Sequence, residues 1–270
     1  MHLHHLGLLH PCQGLHLLLL VVCIAVFCFS AWQLFQIWKE YQTGNEIYDD
    51  LKNQVTVTDS QSDPTDQNDA ETQDDSAFYI PEILVNMDSL LAINEDAIGW
   101  IQIPDTNIDY PVLQGKDNNQ YLRTTITGEY NKAGCIFADS RSDQPFGAAA
   151  TILYGHNLLN GKMFSNLMKY EEKSFWEEHP YVLIQSKNQD KVLVYEIYSC
   201  YRTSSNDTTY TFGLETETDS YEDYLNYTRN QALYDTGIIP KSTDRILTLS
   251  TCTNQEDTER FVVQARLMTE

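Results

Sequence analysis

The first 36 residues contain no Asp, Glu, Lys or Arg. Basic residues are scarce everywhere: 17 Lys and Arg stand against 39 Asp and Glu, a formal net charge of −22. Phosphate binding needs clustered Lys and Arg, so this balance argues against nucleic acid as a partner. An anionic membrane surface would be repelled for the same reason, so membrane contact has to be by hydrophobic insertion. The six cysteines show no CxxC and no Cys/His spacing of a zinc site. The acidic stretches lack the spacing of an EF-hand loop, so no metal or cofactor is expected. Without a pairing pattern, Cys135 and Cys200 read as small buried hydrophobes rather than a disulfide. Histidine is nearly absent where it could serve a folded domain. Five of the seven lie at or before residue 16, leaving His156 and His179.

What is present divides the chain by solvent. A short N-terminal segment, 1–14, precedes an apolar run, 15–36, that matches the ~30 Å hydrocarbon core of a bilayer. Trp32 and Trp38 stand where interfacial aromatics anchor such a helix. No small-x-small cleavage site follows the run, so a transmembrane anchor fits better than a removed signal peptide. Charge counting does not orient it for export: Lys39 follows the helix and no Lys or Arg precedes it. Residues 37–80 are acidic and read as a juxtamembrane stalk, with 39–53 able to continue as a short helix. The folded domain is expected over 81–270.

Within that domain the pattern is mostly β. Strands are predicted at 99–115 (two, about a turn), 133–139, 148–156, 181–186, 191–201, 244–252 and 260–267. Helices are predicted within 80–97 and at 163–170, 173–178 and 220–232. Many strands with few long helices argue for a closed or nearly closed β-barrel with decorating helices.

The last two predicted strands flank the loop of LTLSTCTNQEDTERFVV, 247–263. Alternation puts Thr248, Ser250 and Cys252 on one face of the first strand, and Arg260 opposite the apolar face of the second. A thiol acts as nucleophile when deprotonated, and a nearby cation favours the thiolate. The guanidinium could also donate to an oxyanion. On the hairpin alone, a barrel-end cysteine and a surface arginine are the plainer explanation. A cysteine nucleophile needs a proton acceptor. His156, in TILYGHN at a strand exit, is better placed than His179, in FWEEHPY at a helix end.

TLSTC with an arginine eight positions on, and ILYGHN about a hundred residues earlier, resemble the sortase transpeptidases. Ser250, AGCIFAD, the GKMF run at 161–164 and the long insertion 203–235 resemble class B sortases in particular. The resemblance spans roughly 81–270 together with the anchor-and-stalk arrangement, and implies a closed barrel of about eight strands. It implies Cys252 as the nucleophile that forms a thioacyl intermediate with a C-terminal sorting signal of a secreted protein. His156 is implied as general acid/base and Arg260 as substrate holder and oxyanion donor, while Arg266 is expected to be structural. By the same analogy Ser250 is a substrate contact, with Thr203, Tyr210, Leu122 and Arg123 as weaker ones. The acceptor implied is an amine of a cell-wall cross-bridge or a pilin lysine, on the outer side of the cell membrane. A structural calcium occurs in another sortase class, but this sequence offers no ligand set. A water-using cysteine protease and a non-catalytic anchored barrel are the alternatives.

Overall fold

Eight strands, β1 (Ala97–Gln102), β2 (Asp109–Leu113), β3 (Ile136–Ala138), β4 (Ala150–Tyr154), β5 (Tyr181–Ser186), β6 (Leu193–Ser204), β7 (Ile246–Cys252) and β8 (Glu259–Leu267), close into one barrel. Their order is β1-β2-β3-β4-β7-β8-β6-β5, and β5 pairs back onto β1. The β2/β3 and β4/β7 pairs are parallel and the others antiparallel. This computed structural model describes residues 11–56, 80–81, 83–189, 191–253, 255 and 258–268. The first ten residues and most of the expected stalk, 57–79, lie outside the described residues.

Every predicted strand is present, because each is a short β-branched or aromatic run bounded by turn residues. The predicted helix at 163–170 is a 3₁₀ segment, Phe164–Glu171, followed by a short helix at Lys173–Glu178. A longer helix runs over Asp219–Asn230, with Thr218 capping its start.

Ile101, Val112, Leu153, Leu249 and Val263 are buried in the core, and Trp100, on the other face of β1, is buried with its indole N–H on Asp109. The opposite face of β7–β8 is polar yet equally buried, because the insertion between β6 and β7 lies over it. There Gln264 donates to Thr248 Oγ1 (3.0 Å) and Tyr224 Oη (3.1 Å), and accepts from Tyr198 Oη (2.6 Å). Each of these buried groups therefore has a partner, which makes a polar layer tolerable there. Cys135 and Cys200 are free and buried, and burial pushes their thiols up to about 12 and about 11.

The N-terminal helix, α1 (Pro11–Val55), runs unbroken through what the sequence divides into anchor and stalk. At 1.5 Å per residue its 45 residues extend about 68 Å. Among the described residues it is the one helix long and apolar enough to cross a membrane. Beyond the apolar run, Tyr41, Gly44, Tyr48, Leu51 and Val55 recur at spacings of three and four and turn one face to the barrel. Tyr48 donates to the Gly134 carbonyl (2.5 Å), and Lys52 pairs with Asp109 (2.8 Å). Thr56 then bridges Val85, and the Asn86 N–H donates to the Val55 carbonyl (2.7 Å). Thr56 and Val85 thus lie side by side. Among the described residues, α1 itself joins the apolar segment to the barrel.

Candidate active site

Strand order brings the site together. β4 and β7 are parallel neighbours in which Tyr154 lies beside Ser250. Two residues further along each chain stand His156 and Cys252, so both leave the barrel at the same end. β8 runs antiparallel to β7, with Arg260 directly across from Cys252. One parallel pair and one hairpin register therefore gather a thiol, an imidazole and a guanidinium at a single rim. They line one cleft of about 240 Å³, shared with Ser250, Tyr210 and Leu122.

Local packing holds His156 in place. Gly155 before it has no room for a side chain, since a Cβ there would collide with Ile136 and Phe164. Its N–H donates to the Ser250 carbonyl (3.2 Å) and its carbonyl accepts from Thr251 Oγ1 (2.7 Å), pinning this turn to β7. The ring Nε2 lies 2.7 Å from the Leu122 carbonyl, which can only accept, so this contact places the ring proton on Nε2. His179 sits elsewhere, at the end of its short helix, with Nδ1 3.1 Å from the Pro104 carbonyl and its ring against Phe175. It does not line the cleft.

Cys252 is half-buried at the strand end, unlike the enclosed Cys135 and Cys200. Arg260 donates through Nη1 to the Glu259 carbonyl (2.9 Å). Ser250 is buried and its Oγ shares a 2.8 Å hydrogen bond with Tyr210 Oη. Burial pushes Tyr210 up to about 12, so it is a neutral phenol at working pH. Leu122 contributes its side chain to the cleft wall and its carbonyl to the histidine. Thr203 lies across β6 from Arg260 but outside the cleft wall, and Arg123 is also outside it. Arg266 pairs with Glu196 (2.7 Å) and Asp244 (3.5 Å), away from the cleft, as a structural residue does.

Sequence reasoning missed a carboxylate that holds the cleft residues Tyr154, Asn118 and Arg141. Asp139, at the end of AGCIFAD, is a buried carboxylate that accepts from Tyr154 Oη (2.9 Å), Asn118 Nδ2 (3.0 Å) and Arg141. Burial alone would raise its pKa, but the hydrogen bonds from Arg141, Tyr154 and Asn118 hold it below the usual carboxylate range. An acid closing an otherwise apolar strand was the available signal. Among the described residues no cluster of His, Cys, Asp and Glu is arranged to hold a metal ion.

Comparison with known proteins shows the family. A sortase domain family model matches residues 101–268. Sortase B of Listeria monocytogenes is 36% identical over 256 residues, covering 93% of this chain and 96% of the relative. The structure of a Staphylococcus aureus sortase B–substrate complex is 34% identical, with TM-score 0.62, covering 68% of this chain and 85% of that one. A sortase B structure complexed with triglycine is 33% identical, with TM-score 0.62, covering 68% of this chain and 86% of that one. The chain belongs to the sortase family, on its class B branch, and is a cysteine transpeptidase.

Proposed function

We propose that the chain is a membrane-anchored transpeptidase that cleaves the C-terminal sorting signal of secreted proteins on the outer side of the membrane and joins them to an amine of the cell wall or of a pilin. The observation that carries this reading is the convergence of Cys252, His156 and Arg260 on one cleft. The Cys252 thiolate attacks the carbonyl carbon of the scissile peptide bond. The carbon–nitrogen bond breaks, and His156 delivers a proton to the departing amine. Arg260 donates to the oxyanion formed in between. An incoming amine then attacks the thioester, the carbon–sulfur bond breaks, and His156 takes the proton released as the new amide forms. Ser250, with Tyr210 behind it, and Leu122 are the substrate contacts this reading favours. Thr203 and Arg123 enter it only through rearrangement. The S. aureus relative solved with substrate supports a peptide donor, and the relative solved with triglycine supports an amine acceptor. The apolar part of α1 supports a single membrane crossing.

The test uses the full chain in detergent with sorting-signal peptides, with and without glycine or lysine-type amines. Ligation that needs both the amine and Cys252 is expected. Cleavage indifferent to amine would instead make water the acceptor, and no Cys252-dependent product with any peptide would end both enzyme readings. His156→Ala is expected to lower turnover about 10²–10⁴-fold and Arg260→Ala about 10²–10³-fold.

A further inference from the structure

The polar layer around Asp139 continues outward to Arg141, a second guanidinium on the cleft wall. Its Nε and Nη2 bind the two oxygens of Asp139 at 2.9 and 2.8 Å, and its backbone N–H adds a third bond at 3.0 Å. The carboxylate is fully enclosed, whereas the Arg141 side chain is 57% exposed. The guanidinium carbon lies 3.7 Å from the centre of the Phe212 ring, which belongs to the insertion between β6 and β7. Gln114 Nε2 ties down the turn beneath, donating to the carbonyls of Asp139 (3.0 Å) and Ser142 (2.7 Å). A long, solvated side chain is thereby held in one orientation by a fork, a stack and a braced turn.

Arg141 also lines a second cavity of about 280 Å³, walled by Phe212, Leu214, Ala148 and Ala150. Arg141 is thus shared between that cavity and the catalytic cleft, with Phe212 on the second cavity's side. Ser142, in the same turn and on the second cavity, has a buried Oγ with no hydrogen-bond partner among the described residues. Asp139 uses the Nε/Nη2 edge of the guanidinium and leaves the donors on Nη1 to other partners. Because Arg141 and Asp139 already cancel in charge, a second carboxylate would face Asp139 at close range. A neutral amide carbonyl would not, and it suits the remaining donors.

Building on the transpeptidase reading above, we infer that Arg141 is a specificity-determining residue. It donates through Nη1 to an amide carbonyl of the bound polypeptide where the peptide leaves the catalytic cleft, crosses Phe212 and enters the second cavity. The enzyme on this account grips residues flanking the sorting motif as well as the motif itself. A lysine could hold Asp139 or reach the peptide, but not both, and cannot lie flat on Phe212.

The test is binding rather than turnover, so it is separable from the reaction. Full-length Cys252→Ala chain in detergent is titrated with dye-labelled peptides taken from C-terminal sorting signals of secreted proteins. Each peptide is used as the core motif alone and as the motif extended at both ends. The extended form is expected to bind about tenfold more tightly, and Arg141→Lys or Phe212→Leu to remove most of that advantage. The same two substitutions in the Cys252 chain should leave the rate of Cys252 alkylation by a small haloacetamide unchanged, because that reagent needs no peptide groove. Equal binding of both peptide forms, or an advantage that survives both substitutions, overturns the inference. So does a loss of core-motif binding together with a changed alkylation rate, which would assign the pair a merely structural part. An Arg141-dependent advantage in a chain that ligates nothing would uphold the groove and overturn the transpeptidase reading instead.

Discussion

Gly155 joins packing to chemistry at a single Cα. Its missing Cβ is what lets Ile136 and Phe164 close over the turn that carries His156. Gly155→Ala is expected to destabilise the fold by about 1–3 kcal/mol through overpacking. It should also lower turnover by displacing the imidazole, while leaving Cys252 open to alkylation; denaturant melts and peptide kinetics measure the two effects. Asp139 gives a pH prediction whose sign follows from its depressed pKa. Its contribution to stability is fully present above the unfolded value of about 3.9 and is lost as pH falls through the lower folded value. Asp139→Asn should therefore be less stable near neutrality and show a shallower loss of stability on acidification. Urea unfolding at a series of pH values tests this, and an unchanged acid slope would remove Asp139 from the explanation. Cys252 and Arg260 were legible as residues because alternation along two strands is a local rule. Asp139 and Arg141 were not, since only the β-turn after β3 and the stacking on Phe212 give them a place at the cleft.

At the scale of elements, the strands follow their sequence pattern closely, and the N-terminal helix does not follow its composition. The acidic content of 37–80 suggested a stalk, with 39–53 able to continue as a short helix, while the spacing of Tyr41, Gly44, Tyr48, Leu51 and Val55 describes a packing face. The two signals coexist because Glu46, Asp49 and Asp50 occupy the other side of the same helix. Leu51→Ala is expected to cost about 2–5 kcal/mol, the range for emptying a fully buried leucine site. Removing the partly exposed Lys52–Asp109 pair should cost about 1 kcal/mol or less. Denaturant midpoints of the two variants check the contrast; a solvated stalk would make both substitutions silent.

For the whole molecule, the continuous helix means that barrel and apolar segment share one element. Because Thr56 and Val85 are already paired, deleting 58–79 and closing the gap with a short turn leaves both ends of the connection in place. Loop-closure entropy changes slowly with length, so stability should stay within about 1 kcal/mol and ligation should persist. A stalk reading requires the opposite, since the same deletion would pull the barrel against the membrane. Comparing urea midpoints and ligation by the two chains in vesicles decides between them.

Beyond the thiol–imidazole–guanidinium set, which the resemblance to sortases implies, the amino-acid order read alone specifies the apolar helix, the strand positions and the acidic balance. Each of these follows from composition or from a period of two or about four residues, which a linear chain displays openly. Three things waited for the folded chain: the parallel β4/β7 pairing that lines up His156 with Cys252, the docking of Tyr48 and Leu51, and the Asp139–Arg141–Phe212 wall. All three depend on contacts between residues far apart in sequence, and no local period encodes which strand becomes another's neighbour. The LTLSTC hairpin therefore sets Arg260 across from Cys252, and barrel closure brings His156 to the same cleft.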